Sequence, residues 1–382
     1  MSRLKILFIV AWYPTKDNPV NGVFVREHAK AVLLYNDVVV LHSLGIAQSV
    51  NGLYEILDEM GDGIRTVRVR YQKSLIPKTT YLIYLLSMFS TFRKLMREGF
   101  KPDIIHAHIF SAGVPAVILG RLYGIPTIIT EHFSGFPRRL LSPFEQKEAK
   151  FAMNRARLIL PVNKSLQRAI QSYGIRNKFQ IVPNAVNTVL FHPSPDGYKQ
   201  KARKEKKILL VALLTPIKGV PYLLEALSQI RKKRDDFLLD IIGDGPNREE
   251  YEDMALELGL SDKVKFHGLK TKQQVAEYMR KCDFFVLPSV FETFSVVTIE
   301  ALACGKPVIA TFSGGPEDFV TKEVGILIPI RDVNSLANAV NYMLDNYQNY
   351  SSERIAEYAR ERFSLQAVGQ ALNGIYRELV SK

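Results

Sequence analysis

The stretch FFVLPSVFETFSVVTIEALACGKPVIA, residues 284–310, contains the pattern that decides the fold. Four apolar residues, 284–287, are followed by a short turn, an apolar helical segment at 297–303 and a second apolar run at 307–310. Short strands that are apolar on both faces and alternate with helices are typical of buried parallel sheets. The stretch therefore predicts one βαβ unit.

The same alternation extends over the whole chain. We predict strands at 5–10, 37–41, 65–71, 104–108, 127–130, 158–162 and 180–182, and then at 207–211, 238–242, 264–266, 284–287, 307–310 and 325–327. Helical patterns fall between them at 24–34, 81–97, 112–122, 220–232, 247–258, 273–281, 297–303, 333–345 and 353–362. This order predicts an α/β protein with two doubly wound parallel-sheet domains.

A polar, charged segment broken by Pro193, Pro195 and Gly197 separates the two halves. Such a composition is typical of a linker, which we place at 191–206. The domains then span 1–190 and 207–364. Ligands of doubly wound domains bind at the carboxyl ends of the strands, so we expect the site in a cleft between the domains. Residues 45–63 and 134–143 are predicted loops at that cleft.

Length and composition limit the class of protein. The chain has 382 residues, of which 47% are hydrophobic and 23% charged, a composition that excludes disordered, collagen-like and coiled-coil chains. Its two cysteines exclude a disulfide scaffold. Only six strongly apolar residues, 6–11, follow the N-terminus, too few for a signal peptide or a membrane span. We therefore expect a cytoplasmic protein.

The familiar cofactor motifs are missing from the sequence. No Gly-x-x-x-x-Gly-Lys-Ser/Thr occurs, which excludes a P-loop nucleoside triphosphatase. The nearest match to Gly-x-Gly-x-x-Gly is 243–248, where Arg248 replaces the third glycine, so we do not expect a nicotinamide dehydrogenase. No Asp-x-Asp, Cys-x-x-Cys or His-Glu-x-x-His occurs, so we expect no metal and no cofactor.

Small-residue turns follow five predicted strands of the second half. Glycine at the carboxyl edge of a sheet lets backbone N–H groups approach a ligand, and helix N-termini favour anions. Lys218 begins the first helix of this half and adds a cation there. Glu292 and Glu300 suit sugar hydroxyls better than phosphate, because carboxylates repel anions and accept hydrogen bonds from diols. The turns are 215–219, 243–245, 266–268, 288–292 and 313–316.

The stretch 288–310 resembles the signature of the retaining glycosyltransferases of family 4, whose core is Glu-x7-Glu, here Glu292 and Glu300. The resemblance covers nearly the whole chain. Other matching segments stand in the family's order: Trp12-Tyr-Pro14 to Gly22-Val-Phe24, His106-Ala-His108, Val182-Pro-Asn-Ala-Val-Asn187, Leu214-Thr-Pro-Ile-Lys218-Gly219, Ile242-Gly243-Asp-Gly245 and Gly314-Gly-Pro-Glu317.

This resemblance implies the GT-B fold, two Rossmann-like domains that face each other across a cleft. The domain at 1–190 would be the acceptor side, and the domain at 207–364 would bind the nucleotide sugar. The last helix, within 365–382, would pack back on the first domain.

The resemblance also implies roles for individual residues. Lys218 would face the donor diphosphate, Glu292 would contact the transferred sugar, and Glu300 would hold the ribose hydroxyls. Gly22 resembles the glycine that touches the diphosphate from the first domain, and His108 the histidine beside the transferred sugar. The remaining donor-binding positions carried over from the motifs are Gly243, Gly268, Phe294 and Ser295.

The implied reaction is glycosyl transfer with retention at the anomeric carbon, by same-face substitution and without a metal. We expect a uridine diphosphate sugar as donor and a glycan or lipid-linked acceptor, in the synthesis of a cell-surface polysaccharide or glycolipid. The sequence departs from the family at Leu213, where an arginine is usual, so one cation faces the diphosphate instead of two. The variations at Asn21 and Asn187 are smaller.

Two histidines and one Glu-His pair allow more than one interpretation. His106 and His108 lie on the same face of one predicted strand; we assign His106 to the core and His108, at the strand end, to the site. Glu131 and His132 follow the next strand, and they either face the acceptor or cap the following element.

The net charge of +13 lies entirely in the first half, where residues 1–200 carry 26 Lys and Arg against 13 Asp and Glu. This asymmetry favours a polyanionic partner, or else it is a basic surface that aids solubility. The apolar segment 81–92 is flanked by Lys73, Lys78, Arg93, Lys94 and Arg97. It is either a core helix or an interfacial one, and we predict peripheral attachment to the inner face of the cell membrane.

Two other classes of function remain alternatives. A basic nucleic-acid-binding protein would account for the charge but not for Glu-x7-Glu, and we expect no nucleic acid partner. A sugar phosphorylase or nucleotide-sugar epimerase would share the fold.

Overall fold

A computed structural model describes residues 2–48, 50–194 and 204–381. The chain divides into two compact units. The first contains the described residues up to Ala185 together with those from Leu365 onward, and the second runs from Val186 to Ser364.

The first unit is built on a seven-stranded sheet in the order β3-β4-β2-β1-β5-β6-β7. All of its neighbouring strands are parallel except β3 and β4. The strands are β1 (Lys5–Val10), β2 (Asp37–Ile46), β3 (Tyr54–Gly61), β4 (Ile64–Gln72), β5 (Ile104–His108), β6 (Thr127–Glu131) and β7 (Leu158–Pro161).

The second unit has a six-stranded sheet in the order β10-β9-β8-β11-β12-β13, with every neighbouring pair parallel. The strands are β8 (Lys206–Val211), β9 (Phe237–Ile242), β10 (Val264–Phe266), β11 (Phe284–Leu287), β12 (Val308–Thr311) and β13 (Gly325–Ile328). Two α/β units with parallel sheets confirm the predicted fold class.

Twelve α-helices lie within the described residues. They are α1 (Val23–Leu33), α2 (Pro77–Arg97), α3 (Phe110–Tyr123), α4 (Pro143–Met153), α5 (Lys164–Ser172), α6 (Val220–Arg231), α7 (Arg248–Glu257), α8 (Lys272–Lys281), α9 (Val296–Ala303), α10 (Val333–Asn346), α11 (Ser352–Phe363) and α12 (Leu365–Val380). None of them is both long and apolar enough to cross a lipid bilayer.

Each sheet has its own apolar core. On one face of the first sheet, Phe8 and Val10 pack with residues of α1 and α12 such as Val25 and Leu372. In the second unit the corresponding core combines strand residues with α6 and α10. Burial of apolar side chains on this scale is the main stabilising contribution to each unit.

The predicted loop at 45–63 is wrong, because β2 continues to Ile46 and β3 forms an antiparallel hairpin with β4. The sequence of β3 gives no strand signal because its second half, residues 57–61, is exposed and partly charged rather than continuously apolar. Cross-strand ion pairs hold the hairpin instead of apolar burial. They join Asp58 to Arg65, Glu59 to Arg68 and Glu55 to Arg70, at 2.5, 2.9 and 2.8 Å.

The predicted strand at 180–182 is absent as an element. The chain there makes an isolated bridge between Phe179 and Ile159, and Gln180 and Val182 donate backbone hydrogen bonds to the carbonyls of Ile159 and Pro161. Two helices, α4 and α5, were not predicted. Helix α4 nevertheless begins with a capping box that the sequence displays, since Ser142 and Glu145 hydrogen-bond each other's backbone N–H groups.

The boundary between the units lies earlier than the predicted position 190. The backbone N–H of Val186 donates to the carbonyl of Phe363 at 2.7 Å, and Arg280 donates to the carbonyl of Leu190 at 3.0 Å. Phe191 is buried rather than part of a solvated linker. These contacts attach the segment to the second unit. Residues 195–203 of the predicted linker lie outside the described residues.

Helix α12 packs on α1 within the first unit. A Cβ built on Gly369 would lie 2.2 Å from the carbonyl oxygen of Ala31. The backbones of α1 and α12 are therefore too close at this point for any residue that has a Cβ atom. The hydroxyl of Tyr376, farther along α12, is 2.7 Å from Nδ1 of His106 on β5. The end of the chain is therefore part of the core of the first unit.

This close approach predicts that Gly369→Ala destabilises the protein by about 1–3 kcal/mol through overpacking against backbone. Gly374 lies on the same helix with no atom within 4 Å of a built Cβ. Gly374→Ala should therefore stabilise the helix by about 0.8–1 kcal/mol. Urea unfolding of both variants measures the difference; equal effects would contradict the packing of α12.

Candidate active site

Five turns meet at the carboxyl edge of the second sheet, where the sequence predicts a site. Backbone hydrogen bonds link them in the order of the strands. Glu292 N donates to Ser313 O at 2.9 Å, Val290 N to Ile217 O at 2.8 Å, Leu214 N to Asp244 O at 2.8 Å, and Gly243 N to Gly268 O at 3.0 Å. The edge is thus one continuous surface rather than five independent loops.

Glycine is required at two of these turns. Gly219 has a φ of 71°, and a Cβ there would lie 2.0 Å from the carbonyl oxygen of Pro288. Gly243 has a φ of 132°, and its Cβ would lie 1.8 Å from the carbonyl oxygen of Ala212. Both glycines let neighbouring turns touch through their backbones.

Lys218 and Glu292, which the sequence assigns to the site, form an ion pair. The Lys218 ammonium is 2.7 Å from Oε1 of Glu292, and Ser289 Oγ donates to the same oxygen at 2.7 Å. The carboxylate is buried and the ammonium partly exposed. A cation and a carboxylate therefore stand side by side at the edge of β8 and β11.

Glu300 lies on α9 and pairs with a residue that sequence reasoning missed. Its Oε1 is 2.6 Å from the ammonium of Lys272, the first residue of α8. Nothing near Lys272 in the sequence indicates this role, because its partner is 28 residues away on another helix. Both carboxylates of Glu-x7-Glu thus have a lysine partner.

The start of α9 is strained. Ser295, its N-cap, has a φ of 76°, a conformation that serine rarely adopts. Its hydroxyl is buried and lies 2.7 Å from Oγ1 of Thr298. The adjacent Phe294 ring packs against Phe319 and Phe363 in the core, with centroids 5.2 and 6.0 Å away. The structure therefore places the Phe294 side chain in the core, and its contact with a donor stays a prediction.

The position of the missing family arginine is open to solvent. Leu213 is 59% exposed and lies two residues before the turn that carries Lys218. Lys272 and Arg248 are further cations at the carboxyl edge of this sheet; Nη1 of Arg248 is 3.6 Å from the Asp244 carboxylate.

In the first unit, four histidines gather where β5 and β6 end. His108 stacks on His106 at a centroid distance of 4.5 Å and on His132 at 5.4 Å, and His28 of α1 packs edge-on against both His108 and His132. Nδ1 of His108 is 3.1 Å from Nε2 of His132. All four rings are buried.

His106 and His108 are both fully buried, but their hydrogen bonds distinguish a core residue from a candidate site residue. Both nitrogens of His106 have partners, Tyr376 and Thr130 at 2.7 Å each, as expected of a core residue. Nε2 of His108 has no hydrogen-bond partner among the described residues. The same is true of Nδ1 of His28 and Nδ1 of His132. His108 beside the transferred sugar stays a prediction.

Burial lowers the pKa of each of these histidines. The pKa of His28 falls to about 4 because desolvation disfavours the imidazolium, and the pKa values of His106, His108 and His132 are well below the usual range for the same reason. The cluster is therefore a set of neutral imidazoles, each with one donor and one acceptor.

One ring nitrogen from each of His28, His108 and His132 lies within 4.8 Å of the others, so these three residues could hold a divalent ion. The sequence contains no metal motif, and the predicted absence of a metal stays a prediction.

Glu131, one of the two candidate acceptor residues, caps α3. Its carboxylate accepts backbone N–H groups from Phe110, His132 and Phe133 at 2.8–2.9 Å. Burial raises its pKa to about 7 despite those hydrogen bonds. The helix that it caps is the preceding one, whereas the following helix α4 is capped by Ser142, so Glu131 does not cap the following element. A contact of Glu131 with an acceptor stays a prediction, and so does a contact of His132 with an acceptor.

Backbone strain also marks this edge of the first unit. Gly22, the N-cap of α1, has a φ of 67°, and a Cβ there would lie 2.4 Å from the backbone of Trp12. Ile109, directly after His108, has a φ of 76°, which is rare for a β-branched residue. Strained residues of this kind concentrate at functional sites.

Comparison with known proteins agrees with this geometry. Residues 36–190 match the model "Glycosyltransferase Family 4", and residues 197–362 match "Glycosyl transferases group 1". An uncharacterized glycosyltransferase of Methanocaldococcus jannaschii is 29% identical over 78% of this chain and 81% of its own length. The D-inositol 3-phosphate glycosyltransferase of Corynebacterium jeikeium is 27% identical over 74% of each chain.

Solved structures show the same fold. HepE of Anabaena, solved in complex with UDP and glucose, superposes with a TM-score of 0.75 over 98% of this chain and 100% of its own, at 20% identity. Together with these neighbours, the two α/β units identify the GT-B fold. The chain belongs to the GT-B glycosyltransferases of the family 4 type.

The contact between Gly219 and Pro288 predicts that Gly219→Ala separates the turns that carry Lys218 and Glu292. Gly259→Ala is the matched control, because Gly259 has a similar φ of 68° but no atom within 4 Å of a built Cβ. Both variants should pay backbone strain of about 1–2 kcal/mol, while only Gly219→Ala should lose glycosyltransferase activity. Thermal unfolding and product formation measure the two effects, and equal activities would contradict the assignment.

The low pKa of His28 predicts acid sensitivity. In the unfolded chain His28 is protonated below about pH 6.5, whereas in the folded protein it is protonated only below about pH 4. The free energy of unfolding therefore decreases as the pH falls through this range. Glu131, whose pKa is raised to about 7, acts in the opposite direction. Replacing His28 with Gln should therefore reduce the pH slope by up to about 1.4 kcal/mol per unit between pH 6 and 4.5. Urea unfolding across this range checks it, and an unchanged slope would refute a buried neutral His28.

Proposed function

We propose that the protein transfers a sugar from a uridine diphosphate donor to a glycan or lipid-linked acceptor, with retention and without a metal, in the synthesis of a cell-surface polysaccharide or glycolipid. The observation that carries this proposal is the pairing of Lys218 with Glu292 beside Glu300 at one sheet edge. The UDP and glucose bound by HepE support the donor class, and an inositol phosphate glycosyltransferase among the relatives supports a polar acceptor.

In this proposal the donor lies along the linked turns of the second unit. The diphosphate meets the start of α9 and the ammonium of Lys218, both of which favour an anion. The diphosphate competes with Glu292 for the ammonium of Lys218, so the Glu292 carboxylate becomes able to accept hydrogen bonds from hydroxyls of the transferred sugar. Glu300 accepts hydrogen bonds from the hydroxyls of the ribose.

The chemical step breaks the bond between the anomeric carbon and the leaving phosphate oxygen and forms a bond to the acceptor oxygen on the same face. The acceptor proton passes to the departing diphosphate. Lys218 stabilises the negative charge that develops there, an effect that amounts to about 10²–10³ in rate for comparable donors. Neutral His108 would hydrogen-bond a sugar hydroxyl without introducing charge.

We also propose that the first unit attaches to an anionic membrane surface. Helix α2 buries Met88, Phe92 and Leu95 in its C-terminal half, whereas the residues of its N-terminal half up to Leu86 are exposed or half-buried. The apolar patch of this region consists of the exposed Leu75 and Ile76 just before the helix and the exposed Leu82 and Leu86 on it, and the exposed Phe144 contacts the ring of Tyr81. The segment is therefore part core helix and part candidate interfacial helix.

Basic residues border the apolar patch. Of the flanking cations, Lys94 is paired with Glu98 at 2.5 Å, whereas Lys73 and Lys78 lie next to the exposed end. Apolar side chains beside lysines suit the interface of an anionic bilayer, where each cation contributes about 1 kcal/mol.

The donor assignment predicts distinct effects for three variants. Glu300→Ala should weaken UDP binding by about 1.5–3 kcal/mol through loss of charged hydrogen bonds to ribose. Glu292→Ala should leave UDP bound but abolish most transfer, and Lys218→Ala should lower the rate about 10²–10³-fold. Calorimetric titration with UDP and turnover with a panel of UDP sugars measure these effects.

Melting-temperature shifts with UDP, GDP and ADP identify the base, since a specific ligand stabilises the folded state. Retention is read from the anomeric proton coupling of the product by NMR, and metal independence from activity in EDTA. A folded Glu300→Ala variant with unchanged nucleotide affinity would overturn the assignment. Activity that requires inorganic phosphate would indicate a phosphorylase instead.

The membrane proposal predicts co-sedimentation with vesicles that contain anionic lipid, and release as salt rises. Leu82→Ser together with Leu86→Ser should weaken this binding because the apolar contact is lost. Leu256→Ser is the matched control, because Leu256 is an exposed leucine on a helix of the second unit and is at least as exposed as Leu82 and Leu86. Equal binding to neutral and anionic vesicles, or equal loss in the control, would refute the proposal.

A further inference from the structure

Lys272 forms an ion pair with the second carboxylate of the Glu-x7-Glu motif. Its ammonium is 2.6 Å from Oε1 of Glu300, whose side chain is only 8% exposed. The Lys272 side chain itself is 35% exposed.

The position of Lys272 is unfavourable for a lysine on local grounds. It is the first residue of α8, directly after the N-cap Thr271, where the helix dipole disfavours a cation. Helix α8 already has a complete capping box formed by Thr271 and Gln274. Lys272 is therefore not needed to start the helix, and Glu300 is the described partner that offsets its charge.

Two neighbouring groups, an aromatic ring and the Glu300 carboxylate, fix the position of the ammonium. It lies 5.6 Å above the ring of the buried Phe191, within the range of a cation–π contact. Phe191 is held in place by the adjacent Leu190, whose carbonyl accepts from Arg280 of α8. The lysine is thus fixed between an aromatic ring and a buried carboxylate.

We infer that Lys272 is a positioning residue that orients Glu300 for the ribose of the donor. This inference rests on the proposed function. A carboxylate has about four acceptor positions, so an oxygen that accepts from Lys272 can also accept a hydrogen bond from a ribose hydroxyl. Without the ammonium, the buried Glu300 carboxylate would lose a compensating positive charge 2.6 Å away, and its contact with the 2′-hydroxyl would weaken.

The two lysines would then act on different parts of one ligand. Lys218, paired with Glu292, acts on the diphosphate and the transferred sugar, whereas Lys272 acts on the nucleoside through Glu300. In this role Lys272 does not contact the diphosphate. It therefore does not replace the arginine that is missing at Leu213.

The test compares the affinities of UDP and 2′-deoxy-UDP by calorimetry. The wild-type protein should bind UDP at least about tenfold more tightly than the deoxy analogue, since a charged hydrogen bond is lost. Lys272→Met should weaken UDP about tenfold and reduce the ratio below about threefold. Lys272→Arg should restore most of the ratio, and Lys218→Met should weaken both ligands while leaving the ratio unchanged.

Lys281→Met is the matched control, because Lys281 is an exposed lysine at the other end of α8. It should change neither affinity, and thermal unfolding of every variant checks folding. An unchanged ratio in folded Lys272→Met would overturn the inference while the proposed function stands. Failure of the wild-type protein to bind UDP, GDP or ADP would instead overturn the proposed function.

Discussion

Backbone hydrogen bonds between the five turns of the second sheet are the constraint on which the site depends. Each turn follows a different strand, and the bonds join them in strand order from Ser313 to Gly268. Such contacts need glycine where backbones touch, as at Gly219 and Gly243. Because the turns are coupled, side chains far apart in the sequence are held to fixed distances, which is what preorganised binding of a large ligand requires.

Charge pairing is the second element of the account. A buried carboxylate is costly unless a cation and hydrogen bonds accompany it. Glu292 and Glu300 each meet this condition through an ion pair with a lysine. The histidine cluster of the first unit needs no such charge partners, because burial lowers the pKa values of its imidazoles and keeps them neutral. One unit thus presents paired charges, and the other presents uncharged hydrogen-bonding groups.

Sequence reasoning succeeded where one local pattern determines the structure. Strands such as β11 are apolar on both faces, and the order of the motifs led to the family and to Lys218 and Glu292, which the structure brings into contact. It failed where tertiary contacts decide: β3 is a charged edge strand held by ion pairs, and Lys272 acquires its role only through Glu300 on another helix. Phe294 lies within the Glu-x7-Glu motif, yet its ring packs in the core. Periodicity reports burial, but it does not report which distant side chains meet.

Hydrogen–deuterium exchange of the intact chain, with and without saturating UDP, tests the central claim most directly. If the donor lies along the linked carboxyl edge, exchange should slow in peptides that cover all five turns, and most strongly around Gly219 and at the start of α9. Protection confined to other regions, with the five turns exchanging at unchanged rates while UDP is bound, would contradict the account.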